Sequence, residues 1–270
     1  MAEQYAQLQI ERRDAIVLCT FHNPPHGYMD GVTVAELDRF TAEAEQDAYL
    51  RAIVFRGGLP GVFIQHYTVH ELEALSARLR GSGRPFDPAR PVPPRQIDAV
   101  FERLSAMPQV TIAAINGNAM GGGFEFCLAC DFRLAEEGDY RLGLPEVNIG
   151  ILPGAGGTQR LPRIAGTARA LEMILMGRVI SPAEAGAYGI VHEVTPPGGA
   201  VDRALQMAER IVSQPPRAVA HCKRLVRQAL ATPLEEGLAA ERTLFLDLVL
   251  TDDAAERMAA MNRGERKIEE

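Results

Sequence analysis

The sequence predicts an α/β fold that ends in a helical segment. Apolar runs rich in β-forming residues occur at residues 15–21 and 52–55, on either side of a helical pattern, which is the rhythm of a βαβ unit. A third apolar run at residues 110–115 leads through a glycine-rich turn into another helical pattern. From residue 181 onward, apolar residues recur at helical spacing only, which is typical of a helical lobe packed on the core or on another subunit.

The composition is that of a folded protein with a full hydrophobic core. Of the 270 residues, 47% are hydrophobic and 23% charged, which argues against a disordered chain. This length suits one large domain, or one domain with a helical appendage. The net charge of −7 argues against a nucleic-acid binder with a broadly basic surface, but it says little about a small anionic ligand.

The first strand is expected to end near Asn23, because two prolines follow that cannot donate ladder hydrogen bonds. Thr33 and Glu36 have the spacing of a capping box and predict the start of a helix. Residues 81–95 contain five prolines and are predicted to be an exposed loop between two helices. The arginines of this loop are expected to face solvent rather than a ligand.

The glycine-rich turn at residues 121–123 is the first candidate for chemistry. It stands between a buried strand and a helix, where α/β folds place their sites, and glycine lets a ligand approach the backbone. The phosphate-binding patterns GxxxxGK[ST] and GxGxxG are both missing from the sequence, so a nucleotide is not indicated. The remaining function for this turn is polarisation of a carbonyl or oxyanion by its free amides. The alternative is that the glycines only allow tight packing of the strand against the helix.

The carboxyl-terminal part carries two further helix-start signals. Ser181-Pro182-Ala183-Glu184 is a capping box with proline at the first helical position, and Thr232 begins a similar sequence. Three apolar stripes at helical spacing follow. They comprise Val201, Ala204, Leu205, Ala208, Ile211 and Val212; Val219, Cys222, Val226 and Ala229; and Leu234, Leu238, Phe245 and Val249.

Cys127 and Cys130 have CxxC spacing, but no second pair completes a zinc site, and no metal site is expected. Their apolar surroundings predict buried free thiols and a reducing compartment. We expect no membrane span, because the sequence has no run of about 20 apolar residues. The first residues resemble neither a signal peptide nor a transit peptide, so a cytoplasmic location is expected.

Two glutamates and one polar pair are candidate catalytic residues. Glu125 falls in the first turn of the helix after the glycines, which suits a base and equally suits a glutamate without function. Glu146 follows a proline, and that pair often begins a helix. Acid–base chemistry on a C=C bond needs two such groups. The two glutamates could perform it only if the fold brings them together. His66 and Tyr67 form the other polar cluster.

The stretch that begins at Ile112 resembles the signature region of the enoyl-CoA hydratase/isomerase (crotonase) family. It combines AAINGxAxGGGFE, ACDFRLA, PEVxxG and PGAGGTQRLPR in that order, and weaker similarity extends over nearly the whole chain. The resemblance implies a crotonase-like spiral of ββα units in residues 1–198 and a C-terminal α-helical lobe in residues 199–270 that assembles homotrimers or hexamers. The implied partner is an acyl-CoA thioester, with no nucleic acid, no membrane and no cofactor beyond the coenzyme A of the substrate.

The resemblance also assigns roles to residues. The amides of Tyr67 and Gly122 correspond to the oxyanion-binding pair, and Glu125 and Glu146 correspond to the two glutamates of the hydratases. It implies an enoyl-CoA hydratase that adds water across the C2–C3 double bond of a 2-enoyl-CoA. The substrate contacts that it implies, or that flank these groups, are His66, Thr68, Gly121, Pro145, Phe245 and Lys267.

Three departures from the family pattern keep alternatives open. Gln65-His66-Tyr67-Thr68 replaces the family's AGxD loop, and residues 25–29 replace its AxNAL pattern. A family lysine falls on Gly264, so Arg263, Arg266 or Lys267 is expected to replace it. The unusual loop leaves open another reaction of the family, such as isomerisation, decarboxylation or C–C hydrolysis. An alternative of a different class is a non-catalytic acyl-CoA-binding protein.

Overall fold

The computed structural model describes residues 5–83 and 85–268. The comparison of the first residues with signal and transit peptides rests partly on residues 1–4, and Arg84 belongs to the predicted loop; both lie outside the described residues. Strands and helices share the described chain up to residue 195, and helices alone follow. This arrangement confirms the predicted α/β fold with helices at the carboxyl end.

The helices account for the connections between strands and for the carboxyl-terminal part. They are α1 (Gly31–Gln46), α2 (Val69–Gly81), α3 (Gln96–Ala106), α4 (Gly122–Ala129), α5 (Gly157–Ala165), α6 (Thr167–Leu175), α7 (Pro182–Ala187), α8 (Ala200–Val212), α9 (Pro216–Gln228), α10 (Leu234–Val249) and α11 (Asp252–Asn262). A short 3₁₀-helix covers Glu146–Ile149. The proline-rich segment between α2 and α3 has neither helix nor strand among its described residues, as predicted.

Two sheets form the framework. The strands of the larger sheet, in spatial order, are β1 (Leu8–Arg13), β2 (Ile16–Phe21), β3 (Ala52–Gly57), β5 (Val110–Ile115), β7 (Phe132–Glu136) and β10 (Glu193–Thr195). The strands of the smaller sheet are β4 (Gly61–Ile64), β6 (Gly117–Met120), β8 (Leu142–Gly143) and β9 (Val179–Ile180). Apart from β1 and β9, which are antiparallel to their neighbours, the described strands pair in parallel.

The chain advances as a spiral through these two sheets. Strands β3, β5 and β7 enter the larger sheet, and the strand after each of them, β4, β6 and β8, enters the smaller one. Helix α2 follows the first of these pairs and α4 follows the second, which gives the ββα unit. Because β4 and β6 are parallel neighbours, the residues that follow them lie at one edge of the smaller sheet. This edge carries the candidate site.

The crossing between the two sheets depends on one glycine and one asparagine. A Cβ on Gly117 would lie 2.2 Å from the backbone nitrogen of Val62, so only glycine fits between β6 and β4. The side chain of Asn116 accepts a hydrogen bond from the Gly57 amide (2.8 Å) and donates one to the Gly57 carbonyl (2.9 Å). The Asn-Gly pair that ends the third apolar run therefore fixes the angle at which the chain leaves the larger sheet.

All three predicted helices are present, but only one of the three predicted caps is confirmed. Ser181 and Glu184 form the predicted capping box of α7. Helix α1 is capped by Asp30, and Thr33 is the third residue of its first turn; Glu36 instead accepts hydrogen bonds from the amides of residues 6–8. At α10 the N-cap is Pro233, without a side-chain hydrogen bond, and Thr232 bonds back to the preceding helix.

The core fills the space on both faces of the larger sheet. Strand β5 is buried along its whole length, as its continuous apolar run predicts. One face packs against a cluster of phenylalanines that includes Phe21, Phe55 and Phe126. On the opposite face, alanines of α8 contact β2, β3 and β5, so the first helix after residue 199 belongs to the core. The division of the chain at 198/199 stays a prediction.

The last helices contact the rest of the chain less closely. Helices α9, α10 and α11 contain no buried residue among those described, and Val226 of the second predicted stripe is 74% exposed. A buried ion pair fastens α9, because Lys223 Nζ lies 2.7 Å from Asp131 Oδ2.

The prediction of helices alone after residue 181 was wrong in one place, since β10 pairs with β7.

The cysteines behave as predicted from their apolar neighbours. Cys127 and Cys130 are buried free thiols, and burial raises the pKa of each. Within residues 5–83 and 85–268, no group of three or more His, Cys, Asp or Glu side chains could hold a metal ion. None of the helices in the same ranges is long and apolar enough to cross a membrane.

Candidate active site

A cavity of about 670 Å³ opens at the edge of the smaller sheet. This volume lies within the range of small-molecule and cofactor sites. Its walls come from the loop after β4, the turn before α4, and the segment that follows β8. The cavity walls include most of the predicted site residues, namely His66, Tyr67, Gly121, Gly122, Glu125, Pro145 and Glu146.

Glu125 is held rigidly in the first turn of α4. Its side chain is buried, and Oε1 accepts hydrogen bonds from the amides of Ala155 and Gly157, both at 2.8 Å. Burial raises the pKa of this carboxyl, while the two amides and the nearby cations Arg160 and Arg95 act in the opposite direction. The two hydrogen bonds fix the carboxyl group, as a base that must meet a reactant requires.

Glu146 begins the 3₁₀-helix and reaches the same cavity. Its Oε2 is buried and has no hydrogen-bond partner among the described residues. Burial, and then the negative charge of Glu125, raise the pKa of Glu146 to about 7. A carboxyl with such a pKa can take up or release a proton near neutral pH. The fold therefore brings together the two glutamates that lie 21 positions apart in the sequence.

Two backbone amides complete the reactive part of the cavity. Gly122 is the first residue of α4, so its amide has no partner within the helix. The amide of Tyr67 likewise donates no hydrogen bond to another described residue. A Cβ on Gly122 would lie 3.6 Å from the Tyr67 nitrogen, which places the two backbones side by side. Neighbouring free amides of this kind can bind one oxygen that carries developing charge.

Gly121 must be glycine for this arrangement. Its φ is +50°, in the left-handed region that other residues rarely adopt. A Cβ there would lie 3.3 Å from Glu146 Oε1 and 3.7 Å from His66 Cβ. The turn therefore sets the direction of the Gly122 amide and leaves room for the carboxyl group of Glu146.

The loop after β4 carries bulky side chains beside its free amide. The Tyr67 hydroxyl donates a 2.5 Å hydrogen bond to Glu71 Oε2. The other carboxylate oxygen of Glu71, Oε1, accepts a hydrogen bond from the Gly31 amide at 3.1 Å. Burial and the Glu71 carboxylate raise the pKa of Tyr67, so its hydroxyl stays protonated. Thr68 was predicted as a substrate contact, but it does not line the cavity. Its amide donates a hydrogen bond to the carbonyl of Met29.

An apolar wall of the cavity was missed in the sequence. Val69, Leu72 and Leu75 lie three residues apart on α2 and face the cavity together with Ile97 of α3. Helix α2 has no buried residue, and Val69 and Leu75 of its apolar face remain 44% and 37% exposed. The three-residue spacing was a readable signal, but its face could be assigned only once α2 was placed beside the glutamates.

Phe245 and Lys267, also predicted as substrate contacts, lie elsewhere. Both side chains are exposed, and neither lines the cavity formed by this chain. They belong to α10, which contains no buried residue, and to the segment after α11. Their contact with a substrate stays a prediction.

A sequence profile of the enoyl-CoA hydratase/isomerase family matches residues 11–267. The chain belongs to the enoyl-CoA hydratase/isomerase family. It is 31% identical to the short-chain-enoyl-CoA hydratase of Clostridium acetobutylicum over 261 residues, which are 96% of this chain and 95% of that one. It is also 42% identical to the 2,3-dehydroadipyl-CoA hydratase of Escherichia coli over 161 residues, 60% of this chain and 63% of that one.

Solved structures of the enoyl-CoA hydratase/isomerase family show the same fold. The crystal structure of the enoyl-CoA hydratase from Bacillus anthracis matches with a TM-score of 0.85 and 31% identity, over 96% of each chain. The predicted crotonase-like spiral with carboxyl-terminal helices is thereby confirmed. The family includes both hydratases and isomerases by its own description, so the reaction has to be argued from the residues of the cavity.

Proposed function

We propose that this protein is an enoyl-CoA hydratase, a hydro-lyase that adds water reversibly and in syn fashion across the C2–C3 double bond of a 2-enoyl-CoA. One observation carries the proposal: Glu125 and Glu146 line the same cavity as the free amides of Tyr67 and Gly122. Two carboxyl groups and two oxyanion donors are the complete set of groups that this addition needs.

The amides act on the thioester carbonyl. Attack of water at C3 moves electrons to the thioester oxygen, which becomes an enolate oxygen. Hydrogen bonds from Tyr67 and Gly122 stabilise that oxygen more strongly as its charge develops, which accelerates the reaction. Loss of one such donor typically lowers the rate on the order of 10² to 10³-fold.

The glutamates hold the water and move the protons. Glu125, fixed by Ala155 and Gly157, accepts a proton from the attacking water, and Glu146 delivers a proton to C2. The pair therefore carries one proton before and after the reaction, and dehydration reverses both transfers. The pKa of about 7 at Glu146 supports this role, because the group can be protonated at neutral pH.

The apolar wall of the cavity is proposed to receive the acyl chain. Val69, Leu72, Leu75 and Ile97 offer a surface that a hydrocarbon chain can cover, at the cavity that also contains both glutamates. Two relatives whose names state a substrate are a short-chain-enoyl-CoA hydratase and a 2,3-dehydroadipyl-CoA hydratase. We therefore propose a 2-enoyl thioester as the common feature and leave the chain length to measurement.

The coenzyme A end and the assembly form a second part of the proposal. Phe245 and Lys267 are proposed to contact coenzyme A, and a homotrimer or hexamer is proposed because α10 and α11 expose apolar side chains such as Leu234 (78%). Light scattering of the purified protein measures the assembly. Phe245→Ala and Lys267→Ala should raise KM for an acyl-CoA and leave kcat within about threefold.

We further propose that the reaction needs no cofactor other than the coenzyme A of the substrate, which activity after dialysis against a chelator tests. A cytoplasmic location is proposed because all four cysteines are free thiols. Cell fractionation tests that location.

The deciding experiment is turnover of crotonyl-CoA, followed by loss of the enoyl thioester absorbance. Glu125→Gln and Glu146→Gln should each lower kcat by about 10² to 10⁴-fold, the usual contribution of general acid–base groups. Glu73→Gln is the matched control, because this glutamate is exposed on α2 and does not line the cavity. Unchanged rates in both variants would refute the assignment.

The His66-Tyr67 loop favours a second candidate, another reaction of the family on an unusual acyl group. The two bulky side chains line the cavity beside the oxyanion donors and reshape the space there. Product analysis by mass spectrometry on a panel of acyl-CoAs distinguishes hydration from isomerisation, decarboxylation or C–C hydrolysis. Binding of all thioesters without turnover would instead indicate an acyl-CoA-binding protein.

A further inference from the structure

Three aromatic rings stack behind the loop that carries the Tyr67 amide. The ring centroids of Tyr28 and His66 lie 4.6 Å apart with an interplanar angle of 31°. The centroids of Tyr28 and His26 lie 5.0 Å apart at 29°. Tyr28 is therefore in contact with both histidines, and His66 connects this stack to the wall of the cavity.

The backbone of the same loop is held from the same side. The amide of Gln65 donates to the carbonyl of Gly27 (2.9 Å), that of Met29 to the carbonyl of His66 (2.9 Å), and that of Thr68 to the carbonyl of Met29 (2.8 Å). This pattern is that of a short parallel bridge between Met29 and Tyr67. In such a bridge the amide of Tyr67 points away from the partner segment, so it stays free.

The His66 ring makes one further hydrogen bond. Its Nδ1 lies 2.7 Å from the carbonyl oxygen of Tyr67. Because a carbonyl oxygen only accepts, Nδ1 must carry the hydrogen in this contact. The peptide before Tyr67 is thus fixed through the carbonyl of His66, and the peptide after it is fixed through both the Thr68 amide and the ring of His66.

We infer that His66 is a positioning residue for the oxyanion-binding amide of Tyr67, and that Tyr28 holds the His66 ring in place. The inference rests on the proposed function, which assigns the amide its role. With both flanking peptides fixed, the Tyr67 amide keeps the direction that it shares with the neighbouring Gly122 amide. An oxyanion site accelerates a reaction because its donors are oriented before the charge appears.

Four variants test the hydrogen bond and the stack separately. His66→Ala removes both, whereas His66→Asn keeps an N–H near the position of Nδ1. Tyr28→Leu removes the stacking ring, and Tyr28→Phe keeps it. We expect His66→Ala to lower kcat for crotonyl-CoA by about 10- to 100-fold, somewhat less than outright loss of a donor, with KM changed by less than about threefold.

His66→Asn should restore kcat to within about threefold of the wild type, and Tyr28→Phe should retain it. Tyr28→Leu should fall between Tyr28→Phe and His66→Ala. If His66→Asn is as slow as His66→Ala, or if His66→Ala retains full kcat, the positioning role is wrong. A purely structural role would raise KM and lower the melting temperature without this rescue.

A spectroscopic readout separates this inference from the proposed function. Acetoacetyl-CoA is a 3-ketoacyl thioester whose enolate absorbs in the near ultraviolet, and an oriented pair of amides should favour that enolate on binding. We expect the enolate band with wild type and His66→Asn, and at least a tenfold weaker band with His66→Ala. A band of equal strength in all three would overturn the inference.

The hydratase assay and the enolate band can fail independently. Wild-type protein that shows the band but no hydration refutes the proposed reaction, and the band in the variants still decides the role of His66. Hydration by the wild type that is unaffected in His66→Ala refutes the positioning role alone. If the wild type shows neither turnover nor band, both are refuted.

Discussion

Glu125 and Glu146 line one cavity, and burial of Glu146 together with the negative charge of Glu125 raises the pKa of the Glu146 carboxyl to about 7. The two carboxyl groups have different surroundings, because Glu125 accepts two backbone hydrogen bonds and Oε2 of Glu146 has no partner in the described chain. Two titratable groups in unlike environments are the usual basis for separate acid and base roles.

The pH profile of the hydratase reaction should reflect this pair. The proposed mechanism needs one proton on the two glutamates, so kcat/KM for hydration should fall about tenfold per pH unit above about pH 7, where Glu146 ionises. Dehydration should show the same limb, because the overall reaction takes up no net proton and its equilibrium is independent of pH. Assays in both directions from pH 5 to 9 measure this, and a flat profile from pH 6 to 9 would contradict it.

The stability of the protein should depend on pH through the same residue. The pKa of Glu146 is higher in the folded than in the unfolded protein, so the folded state favours the protonated carboxyl. The stability that this carboxyl contributes is therefore present in full below its unfolded-state pKa and is lost as pH rises through about 7. Glu146→Gln removes this dependence and should stabilise the protein above pH 7 by about 1–2 kcal/mol, after allowance for solvent in the open cavity. Melting curves at pH 5 and pH 8 check it; an equal shift at both values would refute the cause.

Gly121→Ala should impair the reaction more than its backbone strain explains. The new Cβ would lie 3.3 Å from Glu146 Oε1, so the carboxyl must move, and we expect a loss of about 10²-fold in kcat. Gly166→Ala is the matched control, since Gly166 has φ +78° and an added Cβ there meets nothing within 4 Å. Both variants should lose about 1–2 kcal/mol of stability, and only Gly121→Ala should lose activity.

The apolar wall of α2 should determine which acyl chains are accepted. Leu75→Trp adds bulk to the cavity and should lower kcat/KM for a twelve-carbon 2-enoyl-CoA by about tenfold, because each buried methylene contributes about 0.8 kcal/mol. Crotonyl-CoA, which is too short to cover the wall, should change by less than about threefold. Leu79→Trp lies on the same helix outside the cavity lining and should alter neither substrate.

Local patterns in the sequence predicted the elements but not how the elements meet. The apolar run of β5 and the capping box at Ser181 depend on neighbours in the chain, and the structure has both. The cap of α1 was misplaced because Asp30 and Thr33 both suit the position, and the choice depends on Glu36 bonding the residues before β1. Glu125 and Glu146 follow successive strand pairs of the spiral, β5–β6 and β7–β8. Their spacing in the sequence does not reveal that these two turns place them in one cavity.

The described site shows the same division between local and distant information. The glycine turn and its helix could be recognised in the sequence, since the free amide of Gly122 follows from its place at the start of α4. The contact between Tyr28 and His66 joins two loops that are 38 positions apart, and the segments that carry them depart from the family pattern. Its role in orienting the Tyr67 amide could be inferred only from coordinates.

The ion pair beneath α9 gives the last prediction. Lys223 and Asp131 have side chains only 7% and 10% exposed, and Lys223 also donates to the carbonyls of Leu104 and Gln109. Lys223→Met would leave Asp131 buried with one fewer cation, which typically costs 3–5 kcal/mol; the remaining contact with Arg227 should keep the loss near the lower value. Arg217→Met, which breaks the more exposed pair with Asp247, should cost less than about 1 kcal/mol. Urea unfolding of both variants measures the difference, and equal losses would show that α9 is held by apolar contacts rather than by this pair.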